Sequence, residues 1–511
     1  MKLPSPRTNP VRRDWLIVLL FFLAALALRF WNLNLIPSYS DEGFEVLWGL
    51  DIALGKHFPL YGYPPHYGPL FAYLIAILFR VFGTSIALPR LMIAVFGALT
   101  VAATYALTRV MRDRQSALIA AGLALTSPLL VILASHQGWS SGLTPFFTTT
   151  TALALYLGVT TRKNIYFALS GLLAAFALQA HATAAAALVG MAFWFLLRRD
   201  LLQWLKQPAP YLALAFFLLG YAPMIIANAR IDSPLLQAAN DHAYVFAPTL
   251  DPVEYLRRVV LLFKVFGYFV GEGFGAPTIF LRAQAIAIQF FSIAAIVWAL
   301  RVRLWLIPFT VLSMFAILPA VAIPEGYRYS MNVIPLMHAL NAIFLVAIWR
   351  ALAAKFPSSD RMRPARWVAI TLIVLFISSP LITLSNSYRD AFANGWTNEG
   401  YFALARDAQT QGACGAHLLV ENRSLDLNIH EDVKSFFVLN NVHYVLALDG
   451  CAHAFGNLAT LADLVSPPLD TWLITTQSQF DSTPLERMTT TRVPLDETFI
   501  LIYLYRLERK P

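Results

Sequence analysis

Three stretches of this chain carry side chains whose types and spacing could do chemistry. The first, SYSDEGFE at 38–45, places Asp41, Glu42 and Glu45 directly after an apolar run, with 41 and 45 on one helix face. A carboxylate at a lipid–water boundary can act as a base toward a substrate held in the membrane. The same residues would also start a helix well, because Ser40 or Asp41 suits the N-cap and acids suit the first turn. The second stretch, PEGYRYSMN at 324–332, sets Arg328 among Glu325, Tyr327 and Tyr329 at the mouth of another apolar segment. A guanidinium there can grip a phosphate bidentately or extend its head to lipid headgroups. The third is Arg90, just inside the apolar segment 88–108, where an ionisable group faces a bundle interior and needs a partner, either a ligand or a structural acid. His66 in YPPHYGPL and His136 in SHQGW make no metal motif and the external loops hold no DxD cluster, so no cofactor is expected, a divalent metal being the alternative to fixed cations at a phosphate.

The elements that must position these residues are membrane helices. The 511 residues are 58% hydrophobic and 13% charged, too apolar for a water-facing shell around ordinary soluble domains. Apolar stretches close to the ~20 residues a helix needs to cross hydrocarbon recur between short polar loops, which favours helical spans over a barrel of alternating strands. The net charge of +9 sits in clusters beside those stretches, where topology explains it, so nucleic acid is not implied.

Lys2, Arg7, Arg12 and Arg13 precede an apolar run at 15–30 with no cleavage site after it, which predicts an uncleaved first span starting inside. Arg109, Arg112 and Arg114 end the span at 88–108 and place its start outside. The stretch 31–87 then becomes one external loop, with interfacial helices at 41–54 and 69–82. Further spans follow at 117–134, 144–160, 165–179, 183–198, 209–228, 284–301, 304–323, 332–350 and 367–384, about eleven in all by length. The basic groups Arg162–Lys163, Arg198–Arg199, Arg301–Arg303 and Arg350 fall on the inner face each time.

The segment 229–283 reads as a second external loop. Residues 1–384 form the membrane module and 385–511 an external domain. There HLLV (417–420), HYVLALD (443–449), TWLITT (471–476) and FILIYLYRL (499–507) read as strands, and 396–411 and 455–465 as helices, which predicts a small α/β fold. Cys414 and Cys451 in this domain are one possible disulfide or two thiols.

The acidic pair in SDEGFE, the segment YPPHYGPLFAYLIAILFRVFG, the span LPRLMIAVFGALTVAATYALTR, SPLLVILAS and RYSMNVIP, in that order, resemble the GT-C superfamily of glycosyltransferases. The likeness is greatest to the bacterial branch similar to protein O-mannosyltransferases and lipid A aminoarabinose transferases, and it covers about 14–350. The resemblance implies an α-helical polytopic GT-C fold. It also implies an inverting transfer of a hexosyl or pentosyl group from a polyprenyl-phosphate carrier to a hydroxyl of a lipid, glycan or protein. In such a site Asp41, with Glu42 beside it, supplies the catalytic carboxylate. Arg328 and Tyr329 meet the carrier phosphate, and Arg90, His66 and Glu325 complete the candidate binding residues. The expected setting is a bacterial inner membrane, with a cytoplasmic N-terminus and the C-terminal domain in the cell-envelope space outside.

Two departures stand out. GWSSGLTPFF at 138–147 has Ser141 and Gly142 where relatives often carry an acid, so the second acid stays open among Glu325, Glu272 and Asp241; HYGPL replaces an HPPL or KPPL element, with His66 the nearest candidate there. Gln179 and His181 at an external turn could hydrogen-bond a sugar or only pack helices. A lipid-linked glycan flippase or transporter is the rival from another class. It predicts inverted repeats, which the sequence lacks. A ligase moving a whole lipid-linked glycan is the rival within the enzyme class.

Overall fold

The structure, a computed structural model, describes residues 14–31, 33, 40–62, 67–132, 134–230, 248–271, 279–322, 327–355, 417–420, 471–475, 488–493 and 503–509, with 367, 370, 382, 384, 385 and 448 singly. The chain divides into two compact units. One comprises Met1–Leu33, Pro59–Phe71 and Leu91–Asn394, and the other Asn34–Phe58, Ala72–Arg90 and Gly395–Pro511.

The helices are α1 (Trp15–Phe30), α2 (Ser40–Ala53), α3 (Leu70–Phe82), α4 (Ala87–Met111), α5 (Arg114–Thr126), α6 (Pro128–Ile132), α7 (Thr144–Thr161), α8 (Asn164–Ala180), α9 (Ala184–Leu196), α10 (Leu201–Trp204), α11 (Pro208–Asn228), α12 (Pro252–Gly271), α13 (Ile279–Arg301), α14 (Leu306–Val321) and α15 (Ile334–Lys355). Short 3₁₀ segments, Ser140–Leu143 and Tyr327–Val333, lead directly into α7 and α15. Among the described residues, Ala87–Met111, Pro208–Asn228 and Tyr329–Ala354 are long and apolar enough to cross a membrane, and shorter apolar helices accompany them. Helices stand at both interfacial positions expected in 31–87, as α2 and α3. The span expected at 367–384 lies almost wholly outside the described residues. The stretch 229–283, read as a loop, contains the 20-residue helix α12.

Local chemistry explains how the first unit holds together. The α4 hydroxyls of Thr100, Thr104 and Thr108 each donate to the carbonyl four residues back, at 2.7–2.8 Å, so they sit in an apolar helix without seeking outside partners. Helices α8 and α11 touch backbone to backbone at Gly171, where an added Cβ would run into the Ala213 carbonyl oxygen, and α9 meets α14 in the same way at Gly190. Pro319 inside α14 cannot bond the Phe315 carbonyl, and α12 supplies substitute donors there. The Tyr255 hydroxyl donates to Phe315 O at 3.4 Å and Ala316 O at 3.2 Å, while Arg258 reaches Pro319 O at 3.4 Å. Docking of these side chains on carbonyls of α14 holds a charge-bearing segment that reads as loop as a packed helix.

At one end of this unit charges meet. Asp14, the residue before α1, accepts from Arg109 Nε (2.7 Å) and the Tyr105 hydroxyl (3.0 Å). Asp113 caps α5 through Ser116 N (2.9 Å) and pairs with Arg350 near the end of α15 (2.6 Å). Burial works to raise both carboxyls, but the hydrogen bonds hold both below the usual carboxylate range. Three of the arginines expected on a single face, Arg109, Arg114 and Arg350, thus gather at the same end, where Arg114 lies 3.7 Å from Asp14.

In the second unit, Ile52 packs with Ala72 and Ala76, and Arg80 donates to the carbonyls of Ala53 (3.0 Å) and Ile52 (3.1 Å), closing the C-terminal end of α2 with a cation. This unit also contains a four-stranded sheet of β1 (His417–Val420), β2 (Thr471–Thr475), β3 (Met488–Val493) and β4 (Tyr503–Arg509), in the order β1-β2-β4-β3. Strands β1 and β2 are parallel, with His417 opposite Thr471; the other pairings are antiparallel, with Thr471 opposite Leu507 and Met488 opposite Arg509. Strand β3 was not expected, and the expected helices at 396–411 and 455–465, like both cysteines, lie outside the described residues.

Candidate active site

Helix α2 begins at Ser40, so Asp41 and Glu42 occupy its first turn, where the helix dipole favours negative charge. Arg90 lies in the first turn of α4, where the same dipole disfavours a cation; a carboxylate partner resolves that conflict. Glu42 is that partner. Arg90 Nε donates to Glu42 Oε1 at 2.7 Å and Nη2 to Oε2 at 2.9 Å, and both side chains are 0% exposed. Of the two outcomes open for Arg90 in the sequence, a ligand or a structural acid, the structure has the acid. Glu42, expected beside Asp41 as a catalytic carboxylate, has both oxygens engaged by one guanidinium. Glu45, a turn further along α2, is also buried.

The remaining described candidates belong to the first unit. Arg328 and Tyr329 are in the 3₁₀ segment that precedes α15, at the end of the bundle away from the Asp14–Asp113 charges. The Tyr329 ring, 8% exposed, lies 5.6 Å from the His181 ring, which in turn lies 5.1 Å from Tyr67. His181 is in the turn between α8 and α9, and burial pushes its pKa down to about 4, so the ring is neutral at physiological pH. His66 and Glu325 lie outside the described residues, as do Glu272 and Asp241.

Gln179 is not disposed as a sugar ligand. Its Oε1 accepts from Leu70 N (3.1 Å), its Nε2 donates to Gly220 O, and its own carbonyl accepts from Gly68 N (2.8 Å). His136 contacts the carbonyls of Val131 (2.7 Å) and Trp31 (3.3 Å), which ties the segment after α6 to the end of α1. Arg29, which sequence reasoning passed over, is fully buried near the end of α1 and donates to Ser135 Oγ at 3.0 Å. An arginine two residues from the end of an apolar run was its available signal.

This bundle of apolar helices, three of them among the described residues long and apolar enough to cross a membrane, has a fold found in solved structures and, over part of its length, a matching family model. The relatives are the following. Residues 65–226 match the family model described as dolichyl-phosphate-mannose-protein mannosyltransferase. The fold is similar to that of ArnT from Cupriavidus metallidurans bound to undecaprenyl phosphate, with a TM-score of 0.58 and 14% identity over 96% of this chain and 98% of that one. Apo ArnT from the same organism gives a TM-score of 0.58 and 12% identity, covering 97% and 98%. The archaeal oligosaccharyltransferase AglB from Archaeoglobus fulgidus, in complex with an inhibitory peptide and a dolichol-phosphate, gives 0.44 and 16%, covering 86% and 60%. No curated protein sequence matches the chain.

Proposed function

We propose that this protein is an inverting glycosyltransferase that moves one sugar from a polyprenyl-phosphate carrier to a hydroxyl acceptor at the outer face of a bacterial inner membrane. The observation that carries the reading is the closed Glu42–Arg90 pair at the start of α2: with Glu42 committed to a buried guanidinium, Asp41 beside it is the carboxylate assigned to chemistry. The fold shared with ArnT, a protein crystallised with undecaprenyl phosphate, supports the carrier class.

In the proposed reaction Asp41 takes the proton of the acceptor hydroxyl as its oxygen attacks the anomeric carbon. The bond from that carbon to the carrier oxygen breaks on the opposite face, and polyprenyl phosphate leaves with the electron pair. Proton removal late in an oxocarbenium-like transition state asks little of a carboxylate and is worth typically ~10²–10⁴ in rate. Arg328, with Tyr329 beside it, is assigned to the charge growing on the leaving phosphate, a role for fixed cations in a partly dry site. Arg90 is reassigned from the substrate to the frame that holds α2. The N-terminus is assigned to the cytoplasm and 385–511 to an external α/β domain, with the parallel β1–β2 pairing, which requires a crossover, in support.

With protein reconstituted in liposomes and a labelled β-linked polyprenyl-phosphate sugar, the product is expected to carry the α configuration. Because fixed arginine charge is assigned the role a divalent ion would otherwise fill, EDTA is expected to leave the rate within about twofold of its value without chelator. A β product, or passage of uncleaved donor across the bilayer, contradicts the reading; the second outcome supports the transporter.

A further inference from the structure

The last residues of α8 and the turn that joins it to α9, residues 179–183 together, reach in two directions. Toward the segment before α3, Gln179 uses its carbonyl for Gly68 N and its Oε1 for Leu70 N, while its Nε2 is anchored on Gly220 O of α11. A Cβ on Gly68 would stand 2.5 Å from Gln179 Cβ and 2.8 Å from its Cα, so this approach is open only to glycine. Gly62 N donates to Tyr67 O at 2.8 Å, which holds Gly62 beside Tyr67. Toward the 3₁₀ segment Tyr327–Val333, the His181 ring stands between the rings of Tyr67 and Tyr329. Its Nδ1 accepts from Thr183 N (3.1 Å) and lies 2.8 Å from Thr183 Oγ1, which fixes the ring plane and puts the proton on Nε2. The Thr183 carbonyl accepts from Asn332 Nδ2 at 3.3 Å, and Asn332 is 1% exposed in the same 3₁₀ segment as Arg328 and Tyr329. These contacts run through backbone amides, the side-chain amides of Gln179 and Asn332, the Thr183 hydroxyl and ring faces.

We propose that this turn fixes where the Arg328–Tyr329 segment stands against residues 67–70, and that Gln179 and His181 are positioning residues for the carrier phosphate. This rests on Arg328 holding that phosphate. Neither residue touches the lipid in this scheme. Gln179 sets the height of the turn through three backbone contacts, and His181 passes that height to Tyr329 through its ring. Charge-assisted hydrogen bonds to phosphate are short and directional, so a displacement of the segment is felt at the guanidinium. A misplacement of about 1 Å can cost about 10²-fold in a reaction that depends on alignment.

The test is binding of undecaprenyl phosphate to the full-length protein in nanodiscs, comparing the native chain, Gln179→Ala, His181→Asn, Arg328→Ala and the two doubles with Arg328→Ala. Asparagine keeps an acceptor near the place of Nδ1 but removes the ring between the tyrosines, so it separates ring contact from turn closure. Gln179→Ala and His181→Asn are each expected to weaken binding about tenfold, and each loss is expected to vanish in the Arg328→Ala background, because the two sites act through one contact. Native-like binding by both single variants, with Arg328→Ala weakened, overturns the proposal and leaves the role of Arg328 standing. A loss that repeats in full on top of Arg328→Ala also overturns it, since general loosening of the bundle behaves that way. Native-like binding by Arg328→Ala removes the phosphate assignment itself. If Gln179→Ala does not fold, the His181→Asn cycle decides alone.

Discussion

Asp41→Asn is expected to lower the rate of sugar transfer by at least ~10²-fold with the melting temperature of the protein unchanged, the loss that follows when a general base is replaced by a group that cannot take a proton. The substitution is chosen because it separates the two roles the sequence leaves open. Asparagine is as good an N-cap as aspartate and keeps the shape of the side chain. If Asp41 only helps to start α2, the variant retains both fold and activity. Helix α2 begins at Ser40, so the residue stands in the first turn, next to a carboxylate already committed elsewhere. Transfer by the variant at the native rate would remove Asp41 from the chemistry.

Glu42→Gln should behave in the opposite way, harming the fold before it harms the reaction. Glu42 and Arg90 are both 0% exposed and share two hydrogen bonds of 2.7 and 2.9 Å. Neutralising one partner leaves a buried guanidinium without its counter-charge, which typically costs about 3–5 kcal/mol, whereas replacing both partners by apolar residues of similar volume is often close to neutral. Thermal unfolding in detergent should therefore show a large loss for Glu42→Gln and for Arg90→Met. The double variant Glu42→Met/Arg90→Met should recover most of it, and part of the activity with it, since Asp41 is intact. A Glu42→Gln protein that melts like the native one and has lost only its activity would return Glu42 to the catalytic group and end the framing role of the pair.

Much of this arrangement is legible in the sequence, and the parts that are not share a cause. Apolar length and the placement of arginines mark most of the helices. α2 and α3 stand where the amphipathic pieces of 31–87 are, because turn-forming prolines and glycines punctuate that stretch. The need of Arg90 for a partner is visible, but the choice of Glu42, 48 residues earlier, depends on how α2 meets the start of α4. Helix α12 is hidden because Glu254, Arg257 and Arg258 suggest a loop; its partners are carbonyls of another helix, those of Phe315, which Pro319 leaves without its helical donor, Ala316 and Pro319.

Gln179 is visible as a polar residue at a helix end, but the choice between sugar and packing is not, because its partners are backbone groups, one of them 109 residues away. Strand β3, MTTTRV, pairs on one side only among the described residues and lacks the apolar alternation by which strands are found; its β-branched threonines were the remaining cue. Local pattern thus reports each element's own burial, and it is silent where one element's defect is satisfied by another.

The most direct measurement is cleavage of donor by the purified native protein in proteoliposomes, given a panel of labelled polyprenyl-phosphate sugars and hydroxyl acceptors, with free polyprenyl phosphate as the product followed. A glycosyltransferase of the proposed kind releases polyprenyl phosphate from at least one donor in step with labelled acceptor and at a rate far above protein-free liposomes. No release from any donor on a broad panel, with the protein folded and acceptors supplied, would contradict it.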